Sequence, residues 1–190
     1  MPLTTLDPKT ALIVIDLQKG IVNGNFIHPI GEVIDRTRAL TDVFRAKNLP
    51  VVLVNVAGRA PGRTEQGSRS SQTFAEGWTD LLPQLDQQPG DIVVTKRSWG
   101  AFATTDLERQ LKARSVTQVV VTGVVPAGGV EATARQAYEQ GFNVTLALDA
   151  MTDIREEAHE YSIRSVFPRL GETGSTQEII ALLEKRSATS

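Results

Sequence analysis

Five short apolar runs recur along the chain, at residues 11–15, 51–56, 92–95, 116–121 and 144–148. Each run is rich in β-branched residues and is nearly continuous in its hydrophobicity, whereas a half-exposed strand would alternate apolar and polar residues. Continuous apolar runs of this length are typical of parallel strands that are covered on both faces. These runs therefore predict the strands of a sheet that lies inside the molecule.

The segments between these runs have the spacing of helices. Residues 30–47, 106–113, 130–140, 156–167 and 176–184 place their apolar side chains near one helical face. Gly141 stands where a helix C-cap is expected, and Ser175 or Thr176 can N-cap the last helix. Strands that alternate with helices predict a parallel sheet with helices on both faces. We therefore expect a single-domain, Rossmann-like α/β fold over residues 1–190, with α/β/α layers and a mostly parallel sheet.

Composition narrows the classes of function. The 190 residues carry a formal net charge of −2 and are 41% hydrophobic, so we expect a globular domain with no general affinity for nucleic acid or membranes. The chain has no cysteine, which excludes disulfides, thiolate metal sites and a thiol nucleophile. With only two histidines and no dinucleotide motif, we expect neither a metal nor a cofactor. The N-terminus shows no signal-peptide pattern, so a cytoplasmic location is the expected default.

Three of the predicted strands end in residues that suit catalysis. Asp16 directly follows the first strand, Lys96 follows the third, and Gly128 and Gly129 lie in the turn after the fourth. Ligands of open α/β sheets bind beyond the carboxyl ends of the strands, which is where these residues are expected to meet. Each also has an ordinary structural interpretation. An acid after a strand often caps a turn, a lysine there is usually solvated, and a glycine pair allows close strand–helix packing.

Taken together, these strand ends resemble the motifs of the isochorismatase-like hydrolase superfamily, also called the cysteine hydrolase family. The matching segments are Val14-Ile15-Asp16-Leu17-Gln18, Lys96-Arg97-Ser98-Trp99-Gly100-Ala101-Phe102, and Thr122-Gly123-Val124 followed by Val130-Glu131-Ala132-Thr133-Ala134. Asp149-Ala150, His159 and Gly171-Glu172-Thr173 match as well. The resemblance implies a small-molecule hydrolase that forms a homo-oligomer. It also places a cis peptide bond between Val124 and Val125.

One position departs from the cysteine-containing members of this family. Gly129 stands where they carry the nucleophilic cysteine, and glycine has no side chain that could attack a carbonyl. The resemblance allows another route, because true isochorismatases resemble this arrangement, with glycine in the cysteine position. Asp16 would then be the general acid, its pKa raised by burial and lowered in part by Lys96, which would also neutralise substrate carboxylates. Backbone N–H groups around Val125 and Gly129 would bind a negative oxygen.

The leading hypothesis is therefore a hydrolase of a small anionic molecule, such as isochorismate or another vinyl ether, that needs no cysteine nucleophile. A second hypothesis is a catalytically lapsed family member that binds a small molecule without turnover. A third is a lapsed amidase, whose amide hydrolysis a Gly129→Cys substitution would restore. The sequence leaves these alternatives open.

The expected substrate-binding residues lie close to the three strand ends. They are Gln18, Phe26, Trp99, Phe102 and Val125, and the aromatic side chains among them would form the wall of a pocket. The polar segment 57–73 carries Arg59, Arg63 and Arg69. A loop of this length is often functional. Either it closes over the site and brings an arginine to an anionic substrate, or it is a solvated surface loop.

Overall fold

The computed structural model describes residues 3–65 and 73–187. Within these residues, six strands form one sheet: β1 (Thr10–Ile15), β2 (Val51–Val56), β3 (Ile92–Lys96), β4 (Gln118–Val124), β5 (Asn143–Thr152) and β6 (Glu172–Gly174). Their spatial order is β3-β2-β1-β4-β5-β6, and each neighbouring pair is parallel. The predicted Rossmann-like α/β fold is confirmed, with a sheet that is parallel throughout these strands.

Helices cover both faces of the sheet. They are α1 (Lys19–Val22), α2 (Ile30–Ala46), α3 (Leu107–Ala113), α4 (Glu131–Glu139), α5 (Glu156–Tyr161), α6 (Phe167–Leu170) and α7 (Thr176–Ser187), with a 3-10 turn at Pro83–Leu85 and π-helical turns at Pro126–Val130 and Ser162–Val166. Ile13 and Ile15 belong to a core that includes residues of α3, α4 and α6, whereas Leu12 and Val14 belong to a core with α2 and α7. Because successive side chains of a strand point to opposite faces, these two cores produce the α/β/α layers.

The strand order places a topological switch between β1 and β4. From β1 the sheet continues through β2 to β3 on one side, and through β4 and β5 to β6 on the other. The carboxyl ends of β1 and β4 lie side by side, with Ile15 paired to Gly123. Open α/β sheets bind ligands in the crevice at such a switch point. Asp16 and the turn after β4 therefore lie where the fold favours a site.

Three elements differ from the sequence-based predictions. The pattern does not reveal β6, which is too short to show a period and is formed by pairing with β5. The segment 156–167, expected as one helix, is divided into α5, a π-helical turn and α6, which ends at Leu170. The expected coverage of both faces is wrong for β3, whose residues are alternately buried and exposed, because β3 is an edge strand with fewer neighbours.

Two features are absent from the part of the chain that the structure describes. None of its helices combines the length and the apolar character that crossing a membrane requires. The same residues include no group of three or more His, Cys, Asp or Glu side chains arranged to hold a metal ion.

Candidate active site

Asp16 directly follows β1 and is 7% exposed at the carboxyl edge of the sheet. Its φ angle is 57°, in the left-handed region, while its N–H donates to the Val54 carbonyl oxygen at 2.9 Å. The chain thus keeps its bond to β2 and turns sharply at this residue. A non-glycine residue in the left-handed region is uncommon, and such residues cluster at functional sites.

Lys96, the last residue of β3, reaches across β2 to form a buried ion pair with Asp16. It is 1% exposed. Its Nζ lies 2.8 Å from Asp16 Oδ2 and donates to the Trp99 carbonyl oxygen at 2.6 Å. The other carboxyl oxygen, Asp16 Oδ1, is buried and has no hydrogen-bond partner among the described residues. Since buried polar oxygens normally have partners, this unpaired oxygen is an exception that marks Asp16 as a candidate functional residue.

The environment of Asp16 changes its acidity. Burial raises the pKa of the carboxyl from 3.8 to about 6, and the charge and hydrogen bond of Lys96 lower it in part. Desolvation is the larger effect because the charged form loses most of its contact with water. The directions agree with those expected from the sequence. A pKa near 6 suits a group that donates a proton close to neutral pH.

The turn after β4 brings Gly129 against this ion pair. The peptide bond between Val124 and Val125 is cis, at the step where the resemblance places it. A Cβ atom on Gly129 would lie 2.8 Å from Lys96 Nζ and 3.0 Å from Asp16 Oδ2, so a side chain here would displace one of them. The structure therefore brings together the three residues that were expected to be catalytic.

Hydrogen bonds within this turn limit which of its N–H groups can bind an anion. The N–H groups of Gly128 and Val130 both donate to the Val125 carbonyl oxygen, at 2.9 and 3.3 Å. These two donors are therefore already committed. The expected anion site around Val125 and Gly129 must rely on the N–H groups of those two residues themselves.

Thr133 of α4 joins the two turns that surround the ion pair, and it is not among the predicted site residues. Its Oγ1 donates to the Gly129 carbonyl oxygen at 2.7 Å and accepts from the Ala101 N–H at 3.1 Å. The turn that contains Gly129 is thereby tied to the turn that contains Trp99, whose carbonyl oxygen accepts from Lys96. Its position one turn after Gly129 in the matched motif is the signal that could have identified it.

Gln18 is fully buried and binds the protein backbone. Its Oε1 accepts from the Val56 N–H at 2.7 Å, and its Nε2 donates to the carbonyl oxygens of Val56 and Trp78, each at 3.2 Å. The side chain thus joins the end of β1 to the end of β2 and to the segment that contains Trp78. The structure does not bring Gln18 to a position where it could contact a substrate.

The predicted aromatic wall is only partly present. Trp99 is 68% exposed, whereas Phe102 is 4% exposed and lies in the core, with its ring centroid 6.0 Å from that of Phe142. The structure therefore places Phe102 in the core and not on an open pocket wall. Phe26 and Val125 are partly buried and pack against the core on the α2 face.

A cavity of about 650 Å³ lies beside Trp99. Its lining among the described residues includes Arg59, Thr64, Trp99, Gly100, Ala132 and Gln136, and it includes neither Asp16 nor Lys96. The Trp99 carbonyl, which accepts from Lys96, connects the cavity wall to the ion pair. Of the three arginines in segment 57–73, Arg59 lines this cavity, Arg63 is exposed and does not, and Arg69 lies outside the described residues.

Comparison with known proteins identifies the family. The family model described as the isochorismatase domain matches residues 10–178. The chain belongs to the isochorismatase family. The resemblance drawn from its motifs is thus confirmed, and the protein is a hydrolase of this family.

Several isochorismatase-family proteins are similar over nearly the whole chain. YwoC of Bacillus subtilis is 39% identical over 178 residues, which cover 90% of this chain and 93% of that protein. YecD of Escherichia coli O157:H7 is 38% identical over 180 residues, which cover 92% and 96%. The solved structure of an isochorismatase family protein from Burkholderia thailandensis matches with a TM-score of 0.89 at 38% identity, over 95% of this chain and 98% of that one.

One further buried acid in this isochorismatase-family chain is not among the predicted site residues. Asp153 follows β5 and is 1% exposed, and its Oδ2 accepts from the Ala127 N–H in the turn after β4. The signal that could have identified it is the one that identified Asp16, an acid directly after a strand. Its partner in the turn lies 26 residues earlier, so only the folded structure reveals the contact.

Proposed function

We propose that this isochorismatase-family hydrolase cleaves a vinyl ether in a small anionic molecule, with isochorismate as the leading candidate, and that Asp16 is its general acid. The Asp16 carboxyl carries the proposal. It is buried, its pKa is raised to about 6, and one oxygen pairs with Lys96 while the other has no partner among the described residues. A general acid that protonates carbon must be held in position, and the pair with Lys96 holds the Asp16 carboxyl.

The reaction needs a proton donor and water, and no covalent nucleophile. Asp16 transfers its proton to the terminal methylene carbon, and the electron pair of the double bond forms the new C–H bond. Water then adds to the adjacent carbon of the oxocarbenium ion, and the Asp16 carboxylate takes up the proton that this water releases. The resulting hemiketal collapses to a ketone and a free alcohol. One water is consumed and Asp16 is regenerated; with isochorismate the ketone is pyruvate.

The neighbouring residues have supporting roles in this proposal. Lys96 orients Asp16 and stabilises its carboxylate after proton transfer, because the ammonium nitrogen lies 2.8 Å away. The N–H groups of Val125 and Gly129 bind a negative oxygen of the substrate.

The proposed pocket wall is formed by partly or largely accessible groups. It consists of Trp99, Phe26 and Val125. Gln18 and Phe102 are buried, so they stabilise the backbone and the core around the site and do not contact the substrate.

We also propose that residues 1–190 act as one domain, in the cytoplasm, and as a homo-oligomer. The family match over residues 10–178 supports a single domain. The motif resemblance described above supports the homo-oligomer. Light scattering of the purified protein measures the oligomeric state, and a monomer at micromolar concentration would contradict this part of the proposal.

The decisive experiment is pyruvate release from isochorismate by the wild type and by Asp16→Asn. Asparagine keeps the shape of the side chain and cannot act as the acid, so we expect turnover to fall by at least about 10²-fold. Asp80→Asn is the matched control, because the Asp80 carboxylate is 52% exposed and pairs with Lys19 at the surface. Equal turnover by the wild type and Asp16→Asn would refute the proposed role of Asp16.

A binding protein without turnover is the second candidate, because the cavity of about 650 Å³ is lined by neither Asp16 nor Lys96. This candidate predicts that ligand affinity, measured by titration calorimetry, is unchanged in Asp16→Asn. It also predicts no turnover across a panel of vinyl ethers and amides. Turnover of any of these compounds by the wild type, with loss in Asp16→Asn, would exclude it.

A further inference from the structure

Asp153 is a buried carboxylate that is satisfied by backbone donors. Its Oδ2 accepts from the Ala127 N–H at 2.9 Å, and its Oδ1 accepts from the N–H groups of Ile154 and Arg155 at 2.7 and 3.3 Å. The side chain is 1% exposed, and no lysine or arginine within the described ranges forms a salt bridge with it. Burying a carboxylate is unfavourable unless hydrogen bonds compensate, and here all three bonds go to main-chain donors.

The bond to Ala127 acts on the turn that carries Gly129. Ala127 lies two residues before Gly129, inside the π-helical turn Pro126–Val130. Within this turn the N–H groups of Gly128 and Val130 already donate to the Val125 carbonyl oxygen. The Ala127 N–H instead donates out of the turn, to the end of β5. This bond therefore joins the turn to the sheet.

Asp153 also holds the segment that carries Phe26. Its carbonyl oxygen accepts from the Ile27 N–H at 2.9 Å, while its side chain holds Ala127. One residue thus connects β5 to two parts of the proposed site, the pocket wall at Phe26 and the turn at Gly129. Thr133 supports that turn on its other side through the Gly129 carbonyl oxygen.

We propose that Asp153 is a positioning residue for hydrolysis. Its carboxylate holds the turn after β4 so that Gly129 stays against the pair formed by Asp16 and Lys96. This inference rests on the proposed function, since it assigns a role in the same site. Displacements of about 1 Å within a catalytic site can lower the rate by about 10²-fold. Loss of the hydrogen bond between Asp153 and Ala127 is therefore expected to lower the rate measurably.

The test compares Asp153→Asn with the wild type in the full-length protein. Asparagine is isosteric but has one acceptor oxygen, so it cannot satisfy donors on both sides. We expect kcat for pyruvate release from isochorismate to fall by about 10- to 100-fold with KM changed less than about threefold. Alanine has no side-chain acceptor oxygen, so Asp153→Ala should lower kcat further than Asp153→Asn does.

The matched control is Asp91→Asn at the opposite end of the strands. The Asp91 side chain is 3% exposed, accepts from the Gln88 N–H at 2.8 Å and pairs with Arg45 at 2.7 Å. It therefore resembles Asp153 in burial and in accepting a backbone N–H. We expect Asp91→Asn to lower the melting temperature and to leave kcat unchanged. A merely structural role of Asp153 would give the same result for Asp153→Asn, and an unchanged kcat there overturns the inference.

A second readout keeps this inference separate from the proposed function. The ¹H–¹⁵N resonances of Ala127 and Gly129 report the geometry of the turn without any turnover. We expect both to shift in Asp153→Asn and neither to shift in Asp91→Asn. If the wild type hydrolyses no vinyl ether, the proposed function fails, and these resonances alone decide whether Asp153 positions the turn. Unshifted resonances in Asp153→Asn would overturn the positioning role.

Discussion

The raised pKa of Asp16 predicts the pH dependence of catalysis. A change from 3.8 to about 6 favours the protonated carboxyl by about 3 kcal/mol. Because a general acid must be protonated to act, kcat/KM should be highest below pH 6 and fall about tenfold for each pH unit above it. At pH 8 the value should be about one hundredth of the plateau. With an unshifted carboxyl, that loss would already be reached near pH 6.

The substitution Lys96→Met tests whether the ion pair with Lys96 contributes to the pKa of Asp16. The charge and hydrogen bond of Lys96 lower the pKa of Asp16, so their removal should raise it. The midpoint of the pH profile should therefore move above 6, even though the maximal rate is expected to fall. Lys19→Met is the control, because Lys19 is 51% exposed and pairs with Asp80 rather than with Asp16. Lys19→Met should leave the midpoint of the pH profile unchanged.

The assay stops the reaction at fixed times between pH 4 and 9 and then measures the pyruvate released from isochorismate. Because no coupling enzyme is present during the reaction, none contributes its own pH dependence. Circular dichroism at each pH verifies that the protein is folded over the range used. The midpoint, rather than the height of the profile, is the quantity compared. A wild-type midpoint near pH 4, or a midpoint in Lys96→Met at or below that of the wild type, would refute the reasoning.

Three further predictions concern residues of the site. Gly129→Ala places a Cβ 2.8 Å from Lys96 Nζ, so we expect a loss of about 1–3 kcal/mol of stability in urea unfolding. Gly31→Ala, where a Cβ has nothing within 4 Å, should be neutral or stabilising. The proposed vinyl-ether hydrolysis also predicts that Gly129→Cys turns over no nicotinamide, and turnover by that variant would favour the lapsed amidase. Gln18→Ala removes the side-chain bonds to Val56 at the end of β2 and to the Trp78 carbonyl oxygen. We expect thermal unfolding to report a loss of about 1–3 kcal/mol, whereas Gln84→Ala, at an exposed position, should cause no loss.

Much of the fold could be predicted because its signals are local. The apolar runs at 11–15 and 51–56 become β1 and β2 with bounds within one residue of those expected, since continuous burial leaves a direct mark on residue type. Asp16 and Lys96 were identifiable because the carboxyl ends of parallel strands meet at one edge of a sheet. The short strand β6 left no such mark, since its three residues are ordered only by pairing with β5.

The sequence by itself thus determined the alternation of strands and helices, the edge of the sheet that carries the site, and the absence of a thiol at Gly129. Only the tertiary structure decided what each side chain contacts. Gln18 binds Val56, 38 residues away, and Asp153 binds Ala127, 26 residues away. Hydrogen-bond partners and burial depend on segments that are distant in the chain, whereas periodicity and residue type act within a few positions. That Asp16 Oδ1 has no partner among the described residues is therefore a property of the packed molecule.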